Sequence, residues 1–273
     1  MSFGQILHVI LYGAVEGLTE WFPVSSEGHM LLLDRWLPSD FSADFAGLLQ
    51  AFLRFGAALA VLVVCFHRLN PFSPSKTPKA RYMTWGIWGR ILISAVPTVA
   101  LWFVFRDSID LYLHKNYVIA LTLVLSGFAF LVLDAVNRRR SRHISGFADL
   151  GLGRVFAMGL VMALSLIPGT SWTGAAVLAA LLLGCSGLLT AEYALYMAVP
   201  FLLGGGVLRL VRTGLPVSGG ELAVLFAGAL TAFAVSVLAV RLFLGFIRKH
   251  EYSWFGHYRI YLGVFILLSF YFL

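Results

Sequence analysis

A dense run of polar side chains lies between residues 16 and 29 of an otherwise apolar sequence. The run reads EGLTEWFPVSSEGH and contains three carboxylates, two serine hydroxyls and an imidazole. Glu16 and Glu20 are four residues apart, so a helix places both carboxylates on one face with their Cβ atoms about 5–6 Å apart. Such a pair either binds a divalent cation through oxygen ligands or is neutralised by a nearby arginine. We therefore predict a cation site at Glu16 and Glu20. The alternative is that the two glutamates form an ion pair with an arginine.

The second half of the run carries groups suited to attack on a phosphate. Ser25 and Ser26 follow Pro23, where a second helical segment is predicted to begin. Hydroxyls and free N–H groups at a helix N-terminus favour anion binding. His29, one turn beyond Ser26, is placed to accept a proton from serine or water and return it to a leaving group. Each group alone has a structural interpretation as a cap or buried hydrogen bond, but their clustering at membrane depth favours a functional site.

Two other positions could contribute to this site. Arg54 lies inside an apolar stretch, where a charged side chain is costly. We expect it either to pair with one of the two glutamates or to bind a substrate phosphate. A second polar run, PGTSWTG at 168–174, offers the hydroxyls of Ser171 and Thr173 but no charge. Trp172 within it is equally consistent with packing and with substrate contact.

The composition predicts that these residues are held in a membrane. Hydrophobic residues make up 60% of the chain and charged residues 12%, with a mean hydropathy of +0.87, against about 45–50% and about 25% in soluble proteins. A bilayer core of about 30 Å needs roughly 20 helical residues to cross. Six stretches meet this length, at about 46–67, 86–105, 117–136, 191–211, 222–246 and 257–273. We predict an all-α integral membrane protein.

Two further apolar segments are interrupted midway, which predicts two re-entrant helix pairs. They cover about 3–37 and 154–186 and contain the two polar runs. Broken helices are tolerated at membrane depth only inside protein or against a water-filled cavity. Each precedes three spans, so we predict one membrane domain, 1–273, with repeats at about 1–140 and 150–273. An odd number of spans per repeat gives the two repeats opposite orientations.

The charges outside the spans indicate orientation rather than a nucleic-acid partner. The formal net charge is +7, but the basic residues are concentrated in short connections, as the positive-inside rule predicts. The connections at 68–90 and 138–154 hold ten of the 20 Lys and Arg residues and are expected to be cytoplasmic, with both termini on the other side. Cys65 and Cys185 lie in apolar segments and predict neither a disulfide nor a zinc site.

The residues that carry the site also carry a family resemblance. The run at 16–29 closely resembles the first signature of the undecaprenyl-diphosphate phosphatases, the bacitracin-resistance family of bacterial inner membranes. The likeness extends to PGTSWTG at 168–174, AEYALYMAVP at 191–200 and the pair Tyr258 and Arg259. It implies hydrolysis of a polyprenyl diphosphate to the monophosphate and phosphate, which recycles the carrier lipid of cell-wall synthesis.

The resemblance also implies roles for individual residues. Glu16 and Glu20 would bind a divalent cation, Mg²⁺ or Ca²⁺, or steer the phosphate. Ser26 would be the nucleophile and His29 its acid–base partner, with water as the alternative nucleophile. Ser25 and Ser171 would be supporting donors. The site is expected to face the outer side of the inner membrane, and a homodimer is left open.

Four departures from the family pattern bear on the activity. Trp172 stands where the family has an arginine, Arg54 where it has a glutamine, and Gln50 where it has a glutamate. Glu27 replaces a threonine beside the serines. One hypothesis is that Arg54 supplies the lost cation, because a guanidinium binds phosphate through paired charge-assisted hydrogen bonds. The alternative is a transporter or flippase, or a non-catalytic binder, of a phosphorylated lipid.

Overall fold

The computed structural model describes residues 2–141, 143–215 and 218–272, and it is built from α-helices. Positions 1, 142, 216, 217 and 273 of the predicted organisation lie outside the described residues. The helices are α1 (Phe3–Thr19), α2 (Ser26–Trp36), α3 (Ala43–Val64), α4 (Phe66–Leu69), α5 (Pro78–Tyr112), α6 (Asn116–Arg138), α7 (Leu152–Met162), α8 (Trp172–Leu182), α9 (Gly187–Thr213), α10 (Gly219–Ile247) and α11 (Ser253–Tyr271). The predicted all-α class is confirmed.

Hydroxyl residues fix the start of most long helices. In each case the side-chain oxygen accepts a hydrogen bond from a backbone N–H in the first turn, a cap that stabilises a helix by about 1 kcal/mol. The capping residues are Ser2 for α1, Ser42 for α3, Thr77 for α5, Ser186 for α9 and Ser218 for α10. The capped helices start within a few residues of the boundaries that the hydropathy pattern predicts, except α5, which begins at Pro78 rather than at about 86.

Five helices within the described residues are long and apolar enough to cross a membrane: α3, α5, α6, α9 and α10. They coincide with five of the six predicted spans. The sixth predicted span forms α11, a helix of 19 residues packed along α6. The chain is therefore a multi-pass integral membrane protein.

Both predicted breaks are present. The first apolar segment divides into α1 and α2, with the chain turning between Thr19 and Ser26. The second divides into α7 and α8, with a 3₁₀ turn at Ala163–Leu166 before the break. The prediction of two interrupted helix pairs is thus confirmed, and the break carries the polar run in each case.

Glycines allow the first broken pair to pack deep in the bundle. Gly13 and Gly17 face α10, where an added methyl group would lie 2.7 Å from the carbonyl oxygen of Gly228 and 2.6 Å from that of Ala232. Spacing of small residues by four lets helices approach closely in membranes. Since Glu16 lies on α1 and Glu20 is its C-cap, this contact positions both carboxylates inside the protein.

Candidate active site

The two breaks share an unusual backbone conformation. Ser25 has a φ of 76° and Ser171 a φ of 60°, and they are the only non-glycine residues with positive φ in the described chain. Each hydroxyl accepts a hydrogen bond from the N–H three residues later, at 3.3 Å from Gly28 and 3.0 Å from Gly174. Such conformations cost about 1–3 kcal/mol and concentrate at functional sites. The match makes Ser26 and Trp172 structural counterparts in the two helix pairs.

Ser26 and Glu20 form the central contact of the site. The Ser26 hydroxyl donates a 2.6 Å hydrogen bond to Oε2 of Glu20. Glu20 is 3% exposed, and the bond bridges the end of α1 and the start of α2. A carboxylate that already accepts the hydroxyl hydrogen is placed to remove that proton when the serine oxygen attacks.

Glu16 lies beside this pair and is equally buried, at 3% exposure. One oxygen of each glutamate, Oε1, is buried without a hydrogen-bond partner among the described residues. Buried carboxylate oxygens without donors are costly, and a bound divalent cation would satisfy them. No group of three or more His, Cys, Asp or Glu residues suited to a metal occurs among the described residues, so further ligands would be water and substrate oxygens, as Mg²⁺ often has.

His29 has a different partner from the one its spacing suggests. Its Nδ1 lies 2.8 Å from the Ser25 carbonyl oxygen and must donate to it, because a carbonyl only accepts. In the neutral ring Nε2 is then an acceptor, and it receives the hydroxyl hydrogen of Tyr258 at 2.7 Å. The two rings also stack, with centroids 5.7 Å apart. The structure thus joins Ser26 to Glu20 and His29 to Tyr258.

Arg259 ties the two breaks together. Its side chain is fully buried, and it donates to the carbonyl oxygens of Pro23 at 3.1 Å, Gly169 at 2.9 Å and Thr170 at 2.9 Å. It also bonds the Ser126 hydroxyl at 2.7 Å and 3.0 Å. One planar guanidinium therefore sets the distance between the break that separates α1 from α2 and the break that separates α7 from α8.

Two smaller contacts reinforce this junction. The Thr173 hydroxyl donates to the backbone carbonyl of Glu20 at 3.1 Å, so the Ser171 hydroxyl, 3.3 Å away, is left to donate to Thr173. Glu27 accepts the Gly169 N–H at 2.7 Å. The hydroxyls of Ser171 and Thr173 are therefore engaged within the protein, and the Glu27 carboxylate satisfies a backbone donor of the opposite turn.

Arg54 forms no ion pair among the described residues, so the first of its two predicted roles, pairing with a glutamate, is not what the structure has. It lies within electrostatic range of both glutamates. It also lines a cavity of about 530 Å³ between α3, α5 and α9, together with Gln50 and Trp172. Trp172 stacks on Phe201 with ring centroids 4.4 Å apart. Arg54 and Trp172 therefore line the same cavity.

Sequence reasoning missed three residues of this site. Tyr258 and Arg259 entered only through the family resemblance, and Glu27 only as an added negative charge. The sequence contains one indication of a role for Arg259: like Arg54, it is a charged residue inside a predicted span. No local pattern identifies the Glu27 contact, because its partner Gly169 lies 142 residues away.

The sequence profile of the family described as Bacitracin resistance protein BacA matches residues 9–265. The chain belongs to this family. All the site residues described above lie inside the matched range. The family match therefore covers the whole arrangement, from Glu16 in α1 to Arg259 in α11.

Relatives of this BacA family member are similar over their full lengths. The chain is 37% identical over 270 residues to an undecaprenyl-diphosphatase of Enterococcus faecalis, covering 98% of each chain. It is 35% identical over 266 residues to the undecaprenyl-diphosphatase of Acetivibrio thermocellus, covering 97% of this chain and 98% of that one. It is also 35% identical over 272 residues to undecaprenyl-diphosphatase 1 of Clostridioides difficile, covering 100% and 98%.

Proposed function

We propose that this protein hydrolyses a polyprenyl diphosphate, undecaprenyl diphosphate, to the monophosphate and inorganic phosphate. The observation that carries the proposal is the hydrogen bond from Ser26 to the buried carboxylate of Glu20, at the start of a broken helix within the membrane. The names of the relatives support the substrate. The product would return to cell-wall synthesis as the carrier lipid.

The proposed chemistry uses Ser26 as the nucleophile. Its oxygen forms a bond to the terminal phosphorus while the bond from that phosphorus to the bridging oxygen breaks, which releases the polyprenyl monophosphate. The hydroxyl proton passes to Glu20, its hydrogen-bond acceptor. Water then cleaves the phosphoserine, releasing phosphate and restoring Ser26. His29 is held at both ring nitrogens, so we propose that it takes a proton from that water through the Tyr258 hydroxyl, which passes its own hydrogen to Nε2. Glu20 returns its proton to the Ser26 oxygen.

Glu16 and Glu20 are proposed to hold a divalent cation, Mg²⁺ or Ca²⁺. Support comes from the two buried Oε1 atoms that lack partners among the described residues. When bound, such a cation supplies charge neutralisation and orientation for phosphate oxygens. The carboxylates alone would repel a diphosphate, so we expect activity to require the cation.

Arg54 is proposed to bind the diphosphate in place of the family's arginine. It lines the cavity next to Trp172, the residue that replaces that arginine, and it has no ion-pair partner among the described residues. Ser25, Ser171 and Thr173 are proposed to support the substrate mainly by holding the two turns. We propose that the protein lies in the bacterial inner membrane, as the family resemblance implies, with this site facing the outer side, as its charge distribution indicates.

The test is phosphate release by the purified full-length protein in detergent, with farnesyl or undecaprenyl diphosphate as substrate. Release should require Mg²⁺ or Ca²⁺, disappear with EDTA and disappear in Ser26→Ala. Ser108→Ala is the control, because it removes an exposed hydroxyl near the end of α5, outside the site. Acid trapping should recover phosphoserine at position 26, whereas release without it would assign the attack to water.

An alternative function is favoured by one observation, the arginine-lined cavity that leads from one end of α9 to the broken helix. Inverted repeats with broken helices also occur in transporters. Lipid binding without phosphate release would refute the phosphatase and support transport or binding of a phosphorylated lipid. Normal hydrolysis by Arg54→Gln would refute the proposed role of Arg54 alone.

A further inference from the structure

The cavity between α3, α5 and α9 carries more positive charge than the proposed reaction uses. Arg54, Arg209 and Arg212 all line it, and no carboxylate is among the described residues on its walls. Clefts lined by one sign of charge concentrate ions of the opposite sign. The cavity therefore favours anions along its whole length.

The arginines fall at two levels. Arg209 packs against Gly47 of α3, and Arg54 lies about two turns further along the same helix. At 1.5 Å per residue this separation is about 10 Å along the helix axis. Arg209 and Arg212 thus form a second basic cluster, near the end of α9.

Arg209 has an unsatisfied donor in this cluster. Its Nε is buried and has no hydrogen-bond partner among the described residues. The nearest carboxylate oxygen, on Asp44, lies 4.0 Å from its terminal nitrogen, beyond hydrogen-bond distance, and that side chain is 75% exposed. An acceptor carried by a ligand would complete the bonding of this guanidinium.

Arg212 is held beside Arg209 by an aromatic ring. The two arginines are three residues apart on α9 and therefore share a face. The Arg212 guanidinium lies over Trp102 of α5, 5.6 Å from the ring centroid, and both residues line the cavity. Stacking of this kind keeps the fork of N–H donors free for an oxyanion.

We propose that Arg209 and Arg212, beside Trp102, form a second oxyanion site that binds a phosphate group independently of the reaction centre at Ser26. The tetrahedral oxygens of phosphate match the paired N–H donors of guanidinium groups. The phosphate can be free inorganic phosphate or the headgroup of a phosphorylated lipid. The site goes beyond the proposed hydrolysis and does not depend on it.

Equilibrium dialysis of the full-length protein in detergent tests this site with two radiolabelled probes used separately, inorganic phosphate and dioctanoyl phosphatidic acid. Arg209→Gln and Arg212→Gln should each weaken binding by about tenfold or more, the loss expected for one charge-assisted hydrogen bond. Arg212 is exposed, so its replacement leaves folding intact even if that of Arg209 does not. Elution volume and melting temperature establish that the variants are folded.

Arg106→Gln is the matched control. Its guanidinium also lies over Trp102, 5.7 Å from the centroid, but it pairs with Asp107 and is not part of the cavity wall. Binding should be unchanged in this variant. Binding of free phosphate supports a soluble ligand, and binding of the lipid phosphate alone supports a headgroup. Binding of neither, or equal binding by wild type and both variants, overturns the site.

The same experiment separates this site from the proposed phosphatase. Ser26→Ala should abolish hydrolysis and leave phosphate binding at Arg209 and Arg212 unchanged. A protein that binds phosphate but never hydrolyses the lipid would refute the function and leave the site standing. A protein that hydrolyses the lipid but shows no phosphate binding dependent on Arg209 would refute the second site and support the proposed function.

Discussion

Replacing Arg259 should separate the two turns that build the candidate active site. The side chain is fully buried and is the only group in the described chain that donates to carbonyl oxygens of both turns. Arg259→Met retains much of the volume and removes every donor. Three backbone carbonyls, on Pro23, Gly169 and Thr170, then lose this partner.

The expected loss follows from those three carbonyls. A buried polar group left unsatisfied costs about 1–3 kcal/mol, so three of them cost about 3–9 kcal/mol. The variant no longer buries a charge, which offsets part of the loss and places our estimate near 3 kcal/mol. That is a large share of a total stability of about 5–15 kcal/mol. At about 2–4 °C per kcal/mol, the melting temperature should fall by roughly 6–12 °C.

The assay is thermal unfolding of the purified protein in detergent, together with phosphate release below the melting temperature. Arg259→Lys should be intermediate, because lysine keeps the charge but lacks the planar fork of donors. Arg248→Met is the control, since Arg248 is exposed at the end of α10 and should change stability by no more than about 0.5 kcal/mol. An Arg259→Met protein that melts within about 2 °C of wild type and retains full activity would refute the reasoning.

Three further predictions concern single contacts. Glu27→Ala should lower the free energy of unfolding by about 1–2 kcal/mol, because the Gly169 N–H loses its acceptor. Glu27→Gln should keep this stability and lower the KM for the anionic substrate, because it removes a negative charge. An unchanged KM would show that the charge of Glu27 does not oppose substrate binding. Tyr258→Phe should preserve the melting temperature and lower kcat about tenfold or more, since His29 loses a hydrogen bond; unchanged kcat would remove Tyr258 from the proton path. Gly169→Ala should destabilise the protein by about 2 kcal/mol or more in thermal unfolding, because φ is +90° and the methyl group would lie 2.6 Å from a carbonyl oxygen of α6. Gly245→Ala should not destabilise it, because the space around Gly245 is open.

The spans and breaks could be predicted from local sequence. Hydropathy over some 20 residues identifies a helix in lipid without knowledge of its neighbours, and five predicted spans coincide with helices that meet that criterion. Pro23 and Pro168 mark the breaks because proline cannot donate to the helix ladder. The boundaries of the two repeats and the orientation in the membrane stay predictions.

The candidate site could be predicted only as far as its residues are neighbours in sequence. Glu16, Glu20 and Ser26 were identified because helical spacing and a helix start bring them together, and the structure joins Ser26 to Glu20. The assignment of His29 to Ser26 rested on the same local argument. In the structure His29 bonds Tyr258 of α11, 229 residues away, a contact that local spacing does not predict, and its acid–base role stays a prediction.

The sequence by itself therefore determined the class of protein, the two interrupted helices and the polar groups they carry, because these depend on the bilayer and on local backbone geometry. Only the tertiary structure decided how the two breaks meet: through Arg259, through Thr173 and through the bond between Glu27 and Gly169. It also decided that Arg54 faces a cavity rather than pairing with a glutamate. These contacts join helices distant in sequence, and their partners are selected by the packing of the whole bundle, which no local spacing encodes.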